Sequence, residues 1–285
     1  MRTASVSNDG FGGGKKKSAR LEQPNIRRTP MKIRIFDSRE ECLTAGAWAF
    51  IKYALAHPDG TIGCCTGTTT EPIHEMISEI YRKNPFDASG LHTVNADEFL
   101  TPKGYDKGLL TMRPRMQKGL WDALGIEGDR ANMPNPDPDD WEAEAARYEA
   151  RVRELKVGLQ MLGVGPDAHL GFCLPGTPFD SVSHVVKLSD TIQNDMVQNE
   201  GVDPKWLPLS GITMGLKTFM QGQITMPIVS GSHKAEAAAN AILGPVTEEV
   251  PASILQLHPN CTWLLDREAA EGIIGRITPD GVRIK

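Results

Sequence analysis

From Lys32 onward the chain alternates short apolar runs with amphipathic stretches, and this alternation narrows the fold more than any other feature. The runs at Lys32 to Phe36, Thr61 to Cys65, His92 to Ala96, Leu159 to Gly163, Gln223 to Val229 and Thr262 to Leu265 are too short for stable helices and are predicted as strands. Between them, apolar residues fall at helical spacing over Ser38 to Ala56, Ile73 to Tyr81, Arg115 to Leu124, Asp139 to Leu155 and Lys234 to Leu243. The first of these opens on Ser38-Arg-Glu-Glu, a pattern like a capping box. Strands that alternate with helices are joined by crossovers, so the chain is predicted to be α/β with a mainly parallel sheet. The proline-rich Asn132-Met-Pro-Asn-Pro-Asp-Pro138 reads as a loop, and there is no internal repeat or coiled coil.

Residues 1–30 stand outside the pattern. Gly12-Gly-Gly-Lys15-Lys-Lys and Arg27-Arg28 give a basic stretch without apolar periodicity, expected to be a disordered tail. Met31 directly precedes the first strand, so an upstream start codon assigned by mistake is the simplest explanation of that tail, and residues 31–285 are expected to form one domain. The net charge of −5 gives no sign of nucleic-acid binding. No apolar run reaches the roughly 18 residues of a membrane span. The five cysteines lack Cys-x-x-Cys spacing, which argues for a reducing compartment such as the cytoplasm and against a disulfide framework or a zinc site. Cys64 and Cys65 read as core packing, whereas Cys173 is left open between a buried and an accessible thiol. His258 reads as a structural hydrogen-bonding residue, and His57, His74 and His92 as surface or rim residues.

Chemistry concentrates where strands end. Leu159-Gln-Met-Leu162 runs into Gly163-Val-Gly-Pro-Asp167-Ala-His169, which places an acid and an imidazole two residues apart on a glycine-rich turn at the carboxyl edge of the sheet. The plainer reading makes Asp167 a helix cap and His169 incidental. Val94-Asn-Ala-Asp97-Glu98 ends another run in paired carboxylates, and neighbours in a strand face opposite ways, so one of them, Asp97, is chosen for the pocket. Thr66-Gly67-Thr68-Thr69-Thr70 follows a third run and precedes a helix, an arrangement that suits an anion on a helix N-terminus. It lacks the spacing of a nucleotide P-loop or a dinucleotide fingerprint, and threonines as N-caps with Pro72 in the first turn explain it equally well.

In order and spacing, Thr66-Gly-Thr-Thr, Asp97-Glu-Phe, Gly163-Val-Gly-Pro-Asp-Ala-His, Ser230-Gly-Ser-His-Lys234-Ala and Leu255-Gln-Leu-His-Pro259 resemble the glucosamine-6-phosphate deaminase/isomerase family, whose superfamily includes 6-phosphogluconolactonase. The resemblance runs from about Lys32 to the C-terminus. It implies a Rossmann-like, mainly parallel sheet with helices on both faces, a sugar phosphate as the small-molecule partner, no cofactor and no metal. Homo-oligomerisation stays open, since relatives are often oligomeric. It also implies roles. Asp97 matches the carboxylate that moves a proton between C2 and C1 of the open-chain sugar, His169 the imidazole that opens the pyranose ring, and Asp167 the acid beside it. Lys234 and the loop Thr66, Gly67, Thr68 and Thr69 match positions that hold the phosphate.

Elementary chemistry agrees. A proton moved between neighbouring carbons needs one base that reaches both, and ring opening needs an acid near neutrality, where histidine titrates. Two departures weigh against the standard substrate. Phe172-Cys-Leu174-Pro replaces a Phe-Asn-Glu-Pro run, and the region Asp190 to Met196 lacks the family's phosphate arginine. Three functions are weighed: a deaminase/isomerase, a lactonase in which His169 activates water, and a sugar-phosphate-binding protein without catalysis; the presence of Asp97, Asp167, His169 and Lys234 favours the first.

Overall fold

The computed structural model describes residues 31–101, 111–199, 201–207 and 209–276. The basic N-terminal stretch lies outside them. Seven strands form one sheet: β1 (Lys32–Phe36), β2 (Thr61–Cys64), β3 (His92–Asn95), β5 (Ala131–Asn132), β6 (Leu159–Gly163), β9 (Ile224–Val229) and β10 (Thr262–Asp266). Their order is β1-β10-β9-β6-β2-β3-β5, and every pairing is parallel. Six are the runs expected as strands. The seventh, β5, takes Asn132 out of the segment expected to be loop.

The helices are α1 (Arg39–Ala56), α2 (Glu71–Lys83), α3 (113–124), α4 (Trp141–Leu155), α5 (Asp190–Asn199), the short α6 (Leu216–Phe219) and α7 (Ala235–Leu243). Ser38 caps α1 by accepting from the Glu41 amide, while the Glu41 carboxylate reaches back to the Asp37 amide, one residue before the usual capping-box position. In α3 the backbone widens into π geometry over Gln117–Trp121, and the Gly119 carbonyl accepts from the Ser78 hydroxyl of α2 at 2.6 Å.

Both faces of the parallel sheet are covered, which is why its strands read as continuous apolar runs. Ile62, Leu159, Met161, Ile228 and Leu264 join α1, α2 and α3 in one core. Ile33, Leu162, Val229, Trp263 and Leu265 point the other way, into a second core with α4, α7 and the 3-10 segment Pro251–Leu257. The successive residues Trp263, Leu264 and Leu265 thus alternate between the two cores, as the pleat requires. Tyr148 of α4 is buried, and its hydroxyl donates to the Asn95 carbonyl at 2.5 Å. Tyr148→Phe should lower the unfolding free energy by about 1 kcal/mol, read as a reduced urea midpoint at unchanged m-value.

A second sheet was not anticipated. It is antiparallel, with β4 (Asp97–Leu100), β8 (Ser210–Thr213) and β7 (His184–Lys187) in that order. Ala96 joins the sheets: its amide donates to Cys64 O at the end of β2, and its carbonyl accepts from the Met214 amide just after β8, each at 2.7 Å.

Two expectations about single residues are corrected or resolved. His74 is not a rim residue but buried on α2, where a side chain at Gly119 would touch it, and burial pushes its pKa down to about 4. The Cys173 thiol is buried and donates to the Met214 carbonyl at 3.2 Å, and burial first of all pushes its pKa up to about 12. His258 is the structural residue expected, with Nε2 placed 2.8 Å from Gly222 O.

The order of strands fixes where a ligand can enter. From β2 the chain builds outward through β3 to β5, and from β6 it builds the opposite way through β9 to β10. The direction reverses between β2 and β6, and open α/β sheets bind ligands beyond the carboxyl ends of the strands at such a reversal. No helix among the described residues is long and apolar enough to cross a membrane.

Candidate active site

Four of the five segments singled out in the sequence leave the sheet at that edge; the fifth, Leu255 to Pro259, enters β10 from the opposite end. Thr66 to Thr69 follow β2, Asp97 follows β3, Asp167 and His169 follow β6, and Lys234 follows β9.

Asp97 opens β4 and is 4% exposed, with no hydrogen-bond partner for Oδ1 among the described residues. Burial, reinforced by the neighbouring Glu98 charge, pushes its pKa up to about 8. Glu98 faces away, as alternation in a strand demands, and accepts from the backbone amides of Phe99, Met112 and Arg113. Burial pushes the Glu98 pKa up to about 7 against those three donors. The side of Asp97 that carries Oδ2 lies against Gly171, where φ is +57° and an added Cβ would sit 3.1 Å from Oδ2 and 2.8 Å from the Thr213 hydroxyl. Gly171 therefore serves two needs at once, a left-handed turn and space for the carboxylate.

The loop after β6 is a tight turn. Gly165 O accepts from the Ala168 amide, and the Gly165 amide donates to His169 O. Ala168 adopts φ +65°, a left-handed conformation that costs a residue with a Cβ about 1 kcal/mol. That turn brings Asp167 and His169 onto one side, with Nδ1 of the ring 2.6 Å from Asp167 Oδ1 and the His169 amide 3.2 Å from the same oxygen. The ring lies over Gly165, where any side chain would collide with it. Burial tends to raise the Asp167 pKa, but the ring and amide hydrogen bonds and the charge of His169 win and hold it below the ordinary range. Asp167 does not cap a helix; its oxygen is committed to His169.

The third component is the loop after β2, a candidate anion cradle. Gly67 O accepts from the Thr70 and Glu71 amides to start α2, whereas the amides of Gly67, Thr68 and Thr69 have no acceptor among the described residues. Nothing lies within 4 Å of a Cβ placed on Gly67, so the space above the loop is open. Thr70 occupies the N-cap position without a side-chain cap bond. Lys234, 8% exposed, donates from Nζ to Thr69 Oγ1 at 3.1 Å. Its pKa is pushed down, first by burial and then by the charge of Arg39.

Residues missed in the sequence link these parts. Asn95 donates to Thr66 Oγ1 and to the Asp97 carbonyl, both at 3.1 Å, and so ties the cradle to the carboxylate. Thr213 Oγ1 accepts from the Phe172 amide at 3.1 Å and holds the loop after His169 against β8. Asp266, 2% exposed at the end of β10, accepts from Ser230 Oγ at 2.6 Å and from the Gly231 amide, fixing the turn that leads to Lys234. A polar residue at a strand end was the available signal for Asn95 and Asp266. Leu174, in place of the family's glutamate, is half-buried and contributes its carbonyl to the Thr177 hydroxyl.

The arrangement has an ionisable buried carboxylate, an acid-supported imidazole and a cationic cradle for an anion on one sheet edge. The profile of the glucosamine-6-phosphate isomerases and 6-phosphogluconolactonase matches residues 48–263. A glucosamine-6-phosphate deaminase of Halalkalibacterium halodurans is 34% identical over 217 residues, 76% of this chain and 87% of that protein. The solved structure of a monomeric glucosamine-6-phosphate deaminase is 31% identical and superposes with a TM-score of 0.78, covering 85% of this chain and all of the other. The 6-phosphogluconolactonase of Trypanosoma brucei shares the fold at a TM-score of 0.64 and 18% identity, over 85% of this chain and 98% of that one. By its sequence match and its fold, the chain belongs to the family of glucosamine-6-phosphate isomerases and 6-phosphogluconolactonases.

Proposed function

We propose that this protein converts glucosamine 6-phosphate and water to the 2-ketose 6-phosphate and ammonia, with Asp97 as the proton-transfer base. The carrying observation is Asp97 itself: a carboxyl buried at the sheet edge, with one oxygen uncommitted and a pKa raised to about 8. A cationic amino group on the adjacent sugar carbon favours ionisation of that carboxyl on binding, so the base is generated where it is used.

The sugar phosphate would lie with its phosphate on the Gly67, Thr68 and Thr69 amides and Lys234, and its reacting carbons toward Asp97. His169, held through Nδ1 by Asp167, takes the proton of the anomeric hydroxyl at Nε2 and returns it to the ring oxygen, which opens the ring. Asp97 then removes the proton from C2 and delivers it to C1. The electron pair of the broken C2–H bond forms the C1–C2 double bond while the C1 carbonyl oxygen takes a proton from the ammonium group, giving the enolamine, and protonation at C1 then draws the nitrogen lone pair into a protonated imine at C2. Water adds at C2 and ammonia leaves, giving the ketose.

Leu174 and the Gly-Pro-Asp-x-His wording favour a second reading, hydrolysis of a phosphorylated sugar lactone with His169 activating water. One experiment separates the two. Residues 31–285 are incubated with glucosamine 6-phosphate while ammonia and ketose phosphate are followed, and in parallel with 6-phosphogluconolactone. Equimolar ammonia and ketose phosphate are expected. Lactone hydrolysis without ammonia would replace the first reading by the second.

A further inference from the structure

Arg39 occupies the first helical position of α1, a turn in which acidic residues complement the helix dipole and a cation is disfavoured. Glu40 and Glu41 follow that rule, and Arg39 breaks it. Its side chain is directed to the cradle, where Nη2 donates to the Thr68 carbonyl at 3.0 Å. It also lies near enough for its charge to depress the pKa of Lys234. Among the described residues neither Arg39 nor Lys234 has a carboxylate partner, so two like charges converge beside three unused amides. Such a pair is stabilised by an anion between them.

We propose that Arg39 is a phosphate-recognising residue, which sets the preference of the site for phosphorylated over unphosphorylated sugars. It acts through the donors that its contact with the loop leaves free. The guanidinium has five N–H donors, and the bond to Thr68 uses one, which leaves others to face a phosphate oxygen. Arg39 reaches the loop from β1 and α1, whereas Lys234 reaches it from β9, so the anion is gripped from two sides. This inference rests on the sugar-phosphate reading of the site.

Arg39→Met keeps the length of the side chain and removes its charge, and Arg39→Lys keeps the charge and removes the fork. Binding of glucosamine 6-phosphate, inorganic phosphate and unphosphorylated glucosamine is measured by calorimetry on the wild type and both variants, beside KM and kcat. For Arg39→Met, affinity for both phosphate ligands should fall on the order of tenfold or more, KM should rise by the same factor, and kcat should stay within about twofold. Arg39→Lys should recover part of the loss. Binding of glucosamine should not change, and thermal unfolding should match the wild type because the residue is exposed. Equal phosphate-ligand affinity in wild type and Arg39→Met would overturn the role of Arg39 while leaving the site reading intact. A wild type that binds neither phosphate ligand would overturn both.

Discussion

Asp97→Asn should abolish turnover of glucosamine 6-phosphate, with kcat reduced on the order of 10²- to 10⁴-fold, and should at the same time stabilise the protein at alkaline pH. The first effect follows because an amide cannot accept the C2 proton. The second follows from the carboxyl's surroundings. Its folded pKa is raised to about 8 from an ordinary 3.8, with burial the main cause and the Glu98 charge the next. Below the ordinary value both folded and unfolded chains hold the proton. As pH rises past it the unfolded chain releases the proton while the folded chain keeps it, so stability declines until about pH 8 and then levels. Asparagine carries no charge and removes that decline. The variant should therefore match the wild type near pH 4 and exceed its melting temperature by a few degrees at pH 8.5, about 2–4 °C for each kcal/mol. Glu98, raised to about 7 by burial, keeps some pH dependence in both proteins. Denaturation at the two pH values and a coupled ammonia assay read both halves. A variant that is active, or less stable at pH 8.5, would remove Asp97 from the role given to it.

Asp167→Asn is expected to lower kcat on the order of 10²- to 10⁴-fold while KM changes little. The Asp167 carboxylate lies 2.6 Å from Nδ1 of His169 and is held ionised by that contact. It keeps the Nδ1 proton in place, leaves Nε2 free to take a proton, and stabilises the imidazolium formed in between. The carboxamide either accepts from Nδ1 without the stabilising charge or donates to it and reverses the tautomer; both outcomes disable Nε2. The pair is half-exposed, so thermal unfolding should shift by less than about 1 kcal/mol. A preserved kcat would show that His169 needs no carboxylate partner and remove Asp167 from its role, and a large increase in KM would make the pair a binding element.

The parallel strands were legible because burial on both faces leaves an apolar run that sequence periodicity detects, as in Leu159–Gly163 and Thr262–Asp266. The small antiparallel sheet was not. Its strands have four residues each, and His184–Lys187 has no buried residue to mark it. The site was legible where glycine and polar residues break an apolar run, as at Thr66 to Thr69 and Gly163 to His169. It was illegible where a residue works across a long sequence interval. Asp266 holds Ser230, Asn95 holds Thr66, and Arg39 reaches Thr68; each of these contacts exists only once the strands stand side by side. His74 is buried beside Gly119 of α3, 45 positions later, a neighbour that local spacing cannot report.

Ala96, the single residue between the sheets, divides the protein into two sets of parts. The seven-stranded sheet supplies the loop after β2, Lys234 and the acid–imidazole turn, whereas Asp97, the proposed proton-transfer base, opens the three-stranded one. Asp97 and the loop after β2 are thus carried by separate sheets, joined along the chain at Ala96. Substitutions in β7 and β8 can reshape the surroundings of Asp97 without disturbing phosphate recognition. A fold divided in this way can retain its anchor while its reaction diversifies, and the family includes both deaminases and lactonases.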